Sequence, residues 1–290
     1  MHNPIKKLAA IHDLSGIGRV SLTSVIPILS SMGIQVCPLP TAVLSSHTQF
    51  PDFYKVDLTD HLMPFIQHWD KLGMEFDAVY SGYLASAAQV EIVEHFIDRF
   101  YKKDLLVVVD PVMGDNGTLY SSFGPDLVEE MQRLIGKANI ITPNITEAAL
   151  LLDEHYREHM ETEELKQWLV RLSDAGPATV IITSVPEFPK NKKTSVMAYE
   201  RRNNRFWKVS CHYLPTSYPG TGDSFTSVLT GSLLQGDSLP IALDRAVQFI
   251  SYGVRATFGH QYDSREGIML ERILKNLDNP ISMGTYELLD

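Results

Sequence analysis

The residues most suited to chemistry lie in Pro219-Gly220-Thr221-Gly222-Asp223-Ser224-Phe225. Gly220 and Gly222 let the backbone turn tightly and bring its N–H groups close to a ligand. A run of small and apolar residues from Ser224 to Gln235 predicts a helix there. Its first turn would add unpaired N–H groups and a positive dipole end. Gly220, Gly222 and the helix start thereby outline an anion hole fit for phosphate oxygens. Asp223 sets a carboxylate beside the hole, where a hydroxyl attacking phosphorus could lose its proton. The plain alternative is that Asp223 is a helix N-cap, a position aspartate favours.

Other polar groups fall where predicted strands end. Asp13 follows a first strand (Ile5 to Ile11), and Asp110 follows the apolar run Leu105 to Val109. Asn144 and Glu147 follow Asn139 to Thr142, and Thr183 and Ser184 follow Val180 to Ile182. In open α/β sheets, ligands sit at the carboxyl ends of parallel strands, so these groups would converge near Asp223. Each also has a structural reading: Asp110-Pro111 suits a turn, and Asn144-x-x-Glu147 suits a reciprocal helix cap. Asp110 and Glu147 are hard oxygen donors of the kind Mg²⁺ takes. Asp110 to Gly117 reads as a polar, glycine-bearing loop able to move over a bound nucleotide.

The elements that must position these groups alternate between strand and helix. Apolar stripes at helical spacing predict helices from about Arg19 to Met32, Leu58 to Leu72, Val90 to Phe100, Leu127 to Ile135 and Thr162 to Ala175. A short strand is expected at Ile34 to Pro38, a loop or irregular strand pair at Pro40 to Asp52, and strands at Asp77 to Ser81 and Thr179 to Thr183. Thr194 to Tyr199 and Arg205 to His212 read as a hairpin. Two closing helices are expected at Pro240 to Phe258 and Arg265 to Leu277. This alternation predicts an α/β fold with a mostly parallel sheet covered by helices on both faces. We read one domain over 1–277 and a loose tail over 278–290.

Composition narrows the class. The chain has 290 residues and a 44% hydrophobic fraction, enough for a large core. A formal net charge of −10 argues against a general nucleic-acid partner. Cys37 and Cys211 offer neither a bridge framework nor metal-ligand spacing. No signal-peptide core or membrane-length apolar run is present, so a cytoplasmic protein without a membrane partner is expected. The basic run Lys190 to Lys193 reads as solvated surface.

Gly220-Thr221-Gly222-Asp223 resembles the signature of ribokinase-like small-molecule kinases. Asp110-Pro111-Val112-Met113-Gly114-Asp115 and Thr142-Pro143-Asn144-x-x-Glu147-Ala148 resemble that superfamily's vitamin-kinase branch. Ser45-Ser46-His47-Thr48-Gln49-Phe50 and Ser81-Gly82-Tyr83-Leu84 are similar to motifs of pyridoxal kinases. The likeness runs from about Ile5 to Leu277. It implies a three-layer ribokinase-like fold and ATP-dependent phosphorylation of a pyridoxal-type hydroxymethyl group, with Asp223 as base. It implies that Asp110, Asp115, Asn144 and Glu147 surround Mg-ATP, that Thr183 and Ser184 contact its phosphates, and that Tyr120 sits on the flap. Thr48 and Tyr83 would line the ring pocket, with His47 near it. A monovalent cation and a homodimer are further expectations of the resemblance. The chain departs from pyridoxal kinases at Ile11-His12-Asp13, where they typically carry Ile-Gln-Ser. A carboxylate followed by Ser15-Gly16 is closer to hydroxymethylpyrimidine kinases, so Asp13 is expected to read the ring and a pyrimidine alcohol is the rival substrate. A nucleotide-binding sensor is the non-enzyme alternative, and an intact Asp223 argues against it.

Overall fold

The computed structural model describes residues 4–120, 123–187, 193–278 and 284–289. The first half runs β1 (Lys7–Ser15), α1 (Leu22–Ser31), β2 (Gln35–Leu44), β3 (Lys55–Asp57), α2 (Thr59–Lys71), β4 (Ala78–Ser81), α3 (Ala87–Arg99) and β5 (Leu106–Val109). A small hairpin, β6 (Gly114–Asp115) and β7 (Thr118–Leu119), precedes α4 (Pro125–Ile135), β8 (Ile140–Ile141), α5 (Ile145–Leu152), α6 (Thr162–Asp174) and β9 (Thr179–Pro186). The chain continues through β10 (Lys193–Glu200), β11 (Arg205–His212), α7 (Thr221–Leu234), α8 (Leu239–Phe258), α9 (Leu270–Ile273) and β12 (Tyr286–Leu289).

Ten strands form one sheet in the order β12-β11-β10-β9-β8-β5-β4-β1-β2-β3. The six from β9 to β2 are parallel, with antiparallel strands at both margins. The central strands are buried on both faces, which explains their unbroken apolar runs. In β4 and β5, Val79, Val107 and Val109 face one apolar layer, with α2 to α6. Ala78, Tyr80 and Val108 face the other, with α1, α7, α8 and α9. This is the three-layer, mostly parallel ribokinase-like architecture expected from the sequence. No helix among the described residues is long and apolar enough to cross a membrane.

Four local readings change. The strand expected at 34–38 extends to Leu44, so β2 absorbs much of the expected loop. Pro38 and Pro40 are tolerated because β3 pairs only with Ala42–Leu44, leaving that stretch of β2 with one neighbour. The helix expected from Arg19 begins at Leu22. The last expected helix breaks at Gly267, where φ is +81° and a Cβ would lie 2.9 Å from the Pro219 carbonyl oxygen, a position that suits only glycine. Tyr286–Leu289, placed in a loose tail by the sequence, instead pairs with β11 and covers its otherwise open edge. Of the basic run, only Lys193 lies within the described residues, where it is exposed.

Candidate active site

Parallel strands deliver their last residues to one edge, and α7 starts there. Gly220 is the N-cap of α7, at φ 78°. A Cβ at this position would lie 1.9 Å from the Arg19 carbonyl oxygen, so only glycine lets the loop before α1 close on α7. Asp223 is therefore the third residue of the helix, and its side chain caps nothing. This removes the plain N-cap reading of Asp223. Its Oδ2 instead accepts a hydrogen bond from the Ser21 backbone N–H at 2.9 Å. Thr221 Oγ1 donates to the Tyr218 carbonyl (3.0 Å), which turns that hydroxyl back into the protein. The first N–H groups of α7 have no partner inside the helix and stand beside Asp223.

Asp223 is only 14% exposed, and burial raises its carboxyl pKa to about 6, with the charge of Asp13 adding to the rise and the Ser21 N–H opposing it. Nδ1 of His12 lies 3.9 Å from Asp223 Oδ1. His12 is fully buried with neither ring nitrogen hydrogen-bonded, and burial lowers its pKa to about 3. It is therefore neutral at physiological pH, and the pair is not a salt bridge. At the level of sequence, His12 reads as a residue at the end of the first strand. Its one outward sign is Gly82, where a Cβ would fall 2.3 Å from His12 Nδ1.

Asp110 comes to the same place, with Oδ2 3.8 Å from where a Gly222 Cβ would be. Asn144 and Glu147 form the reciprocal cap of α5. The Glu147 N–H donates to Asn144 Oδ1 (2.9 Å), and the Asn144 N–H donates to Glu147 Oε2 (2.8 Å). Glu147 Oε1 also accepts from the Met113 N–H at 3.1 Å. Burial pushes both carboxyl groups up, and Asp110 rises further under the charges of Glu147 and Asp223. Such an excess of buried negative charge suits a cation. Among the described residues, no three His, Cys, Asp or Glu side chains are grouped to hold a metal unaided. Two carboxylates completed by phosphate oxygens is the pattern by which proteins bind Mg²⁺, so Asp110 and Glu147 fit that ion.

The stretch expected to act as a flap folds as the β6–β7 hairpin. Its turn residues, Asn116 and Gly117, have φ of 51° and 78°. It is tied to α5 by Gly117 N–H donating to Thr146 Oγ1 (2.9 Å) and Asn144 Nδ2 donating to the Gly114 carbonyl (2.9 Å). Burial raises the Tyr120 pKa, and the charges of Glu147, Asp115, Asp110 and Asp223 add to the rise. Tyr120 thus looks onto the carboxylates while remaining 40% exposed. Phe123 joins Tyr83, with ring centroids 5.4 Å apart. The turn of the hairpin is exposed, so a bound nucleotide should protect it. Hydrogen exchange over residues 110–120 is expected to slow when a non-hydrolysable ATP analogue and pyridoxal are added. Equal exchange in free and loaded protein would exclude a lid.

Thr183 bridges to Asn144 across β8 and β9. Ser184, at φ 58°, sits where the β9–β10 register slips. Asp115, Asn144, Ser184 and Thr221 line a cavity of about 350 Å³ that extends to Tyr213 and Val254. Asp13 is 5% exposed and accepts from Ser21 Oγ (2.6 Å) and Ser15 Oγ (3.0 Å). His47 turns to the C-terminal segment. Nε2 bonds the Arg265 carbonyl at 2.5 Å, and Nδ1 accepts from the Gln49 N–H at 3.3 Å. Its ring therefore braces the loop, and Thr48 beside it is exposed. Ser21, absent from the sequence-level site, joins Asp13 to Asp223; its only trace is a serine ahead of an apolar run.

Comparison with known proteins gives the family. The family model described as phosphomethylpyrimidine kinase matches residues 69–266. A Bacteroides thetaiotaomicron structure carrying the name phosphomethylpyrimidine kinase, solved with pyridoxal, is 62% identical, with a TM-score of 0.96 over 98% of this chain and 100% of its own. Pyridoxal kinase from Lactobacillus plantarum is 32% identical, with a TM-score of 0.87 over 95% of this chain and 97% of its own. Pyridoxal kinase of Arabidopsis thaliana is 28% identical over 83% of this chain and 78% of its own length. With the family model covering more than half of its length, and a 32% identical pyridoxal kinase matching nearly all of it, the chain belongs to the phosphomethylpyrimidine kinase family and is a kinase.

Proposed function

We propose that this kinase transfers the γ-phosphoryl group of ATP to the 5′-hydroxymethyl oxygen of pyridoxal and its close relatives. The observation that carries the reading is Asp223, pinned through one oxygen by Ser21 at the head of α7. The second oxygen is left to accept the alcohol proton as the oxygen attacks phosphorus. The N–H groups of α7 beside it suit the charge that develops on the transferred phosphoryl oxygens. Nucleotide fits the cavity beside Thr221, with Asn144, Thr183 and Ser184 near its phosphates. Mg²⁺, held by Asp110 and Glu147 with those phosphates, would neutralise charge on the nucleotide. Tyr83 and Thr48 are the groups proposed for the ring.

The similarity to a structure solved with pyridoxal favours a pyridine over a pyrimidine alcohol. A parallel assay of pyridoxal, pyridoxamine, pyridoxine and hydroxymethylpyrimidine with Mg-ATP tests the reading. ADP release that depends on the three pyridine alcohols, and stops in excess chelator, is the expected result. Turnover of the pyrimidine alone would transfer the assignment to that substrate, and no turnover with any alcohol would reject it. Full activity in excess chelator would remove the metal from the account.

A further inference from the structure

Ser21 is unusual for a residue at the start of a helix. It is the N-cap of α1, and its carbonyl accepts from the N–H groups of Ser24 (3.0 Å) and Val25 (2.9 Å). A serine there normally has extended backbone and uses its side chain to cap the first turn. Ser21 does neither. Its φ is 46° and ψ −133°, and its side chain makes no capping hydrogen bond. Positive φ in a non-glycine residue is strained and persists only where surrounding contacts impose it. The contact here is Oγ, which donates to Asp13 Oδ1 at 2.6 Å, both residues being buried. Asp13 is anchored in turn by Ser15 Oγ at 3.0 Å. The strained backbone has one evident result: the Ser21 N–H points at Asp223 Oδ2 from 2.9 Å.

The geometry points to Ser21, with Asp13 behind it, as the positioning pair of the base: Asp13 holds the side chain, and the backbone of Ser21 aims Asp223. This rests on the reading of Asp223 as the proton acceptor in phosphoryl transfer. It gives Asp13 a task different from reading the ring, because both of its oxygens already serve hydroxyl groups. The other groups facing Asp223 are His12 from β1, Tyr80 from β4, Asp110 after β5 and Tyr120 beyond the flap. None of these reaches it with a hydrogen bond as Ser21 does.

The test uses full-length Ser21→Ala, Asp13→Ala, the double variant and Ser21→Gly, with Mg-ATP and each alcohol that the unmodified protein accepts. A displacement of the base by ~1 Å costs on the order of 10²-fold. Both alanine variants should therefore lose about that factor in kcat for every alcohol alike, with KM for ATP within about twofold. The double variant should be no worse than the poorer single one, because the two residues form one device. Ser21→Gly should retain more activity than Ser21→Ala, since glycine holds the backbone without an anchor. Unchanged kcat in Ser21→Ala overturns the proposal, and so does an altered order of preference among alcohols in Asp13→Ala, which would make Asp13 a ring-reading residue. Crystal structures of Ser21→Ala and Asp13→Ala decide independently of turnover. Loss of the N–H contact to Asp223 supports the pair, and its retention with native geometry in both refutes it. If no alcohol is phosphorylated, the proposed function fails while this structural comparison still rules on Ser21 and Asp13.

Discussion

Asp223→Asn is expected to give a folded protein that binds ATP and pyridoxal but turns over ~10² to 10⁴-fold more slowly, the usual cost of losing a positioned general base. The loss should fall on kcat rather than KM, because asparagine fills the same space and still accepts the Ser21 N–H through its carbonyl oxygen. Stability should hold or rise. Asp223 is not the cap of α7, so no cap is lost. Its carboxyl pKa is raised to about 6, so folding disfavours its charge. A raised carboxyl group gives its best contribution at low pH, where it is neutral, and loses it as pH climbs through about 6. Asparagine removes that penalty at neutral pH. The same shift predicts that kcat/KM of the unmodified enzyme falls as pH drops through about 6 and the base becomes protonated. Asp223→Asn should lack this limb. Near-normal turnover in the variant would strip Asp223 of the base role.

Gly220→Ala is expected to damage both fold and rate. An alanine Cβ would lie 1.9 Å from the Arg19 carbonyl oxygen, and the native φ of 78° is itself unfavourable for alanine. The backbone term alone costs about 1–3 kcal/mol. The clash cannot be relieved by a rotamer change, because the opposing atom belongs to the backbone. The segment Arg19–Ser21 must move away from α7, and that movement breaks the hydrogen bond from Ser21 to Asp223. A lowered thermal midpoint together with a kcat loss of ~10² is therefore expected even in molecules that fold. Gly236 serves as the control. It also has positive φ (97°), but nothing lies within 4 Å of the place a Cβ would take. Gly236→Ala should lose stability without a comparable loss of kcat. Equal kcat losses in the two variants would show that the close approach at Gly220 has no special role.

Fold class and most of the candidate chemical groups were legible along the chain. Short, Val-rich apolar runs such as Leu105 to Val109 suit strands buried on both faces, and helix stripes between them point to a parallel sheet. That topology sends Asp13, Asp110, Asn144 and Thr183 to one edge without any knowledge of coordinates. The Asn144–Glu147 cap was legible for the same reason: it is made between residues three apart. What spacing cannot express is contact between distant segments. Ser21 and Asp223 are 202 positions apart, and the Asp223 carboxylate is held by a backbone N–H, which every residue but proline carries. His12 looked like an ordinary strand residue until the packing of Gly82 and Asp223 surrounded it. The exposed tail became an edge strand because β11 had unpaired backbone groups to offer. Asp223 passed from a possible cap to the third residue of α7 because Gly220, pressed against Arg19, begins the helix three residues earlier than side-chain preference indicates. Local propensity is written along the chain, but the aim of a catalytic oxygen is set by which backbones can approach one another.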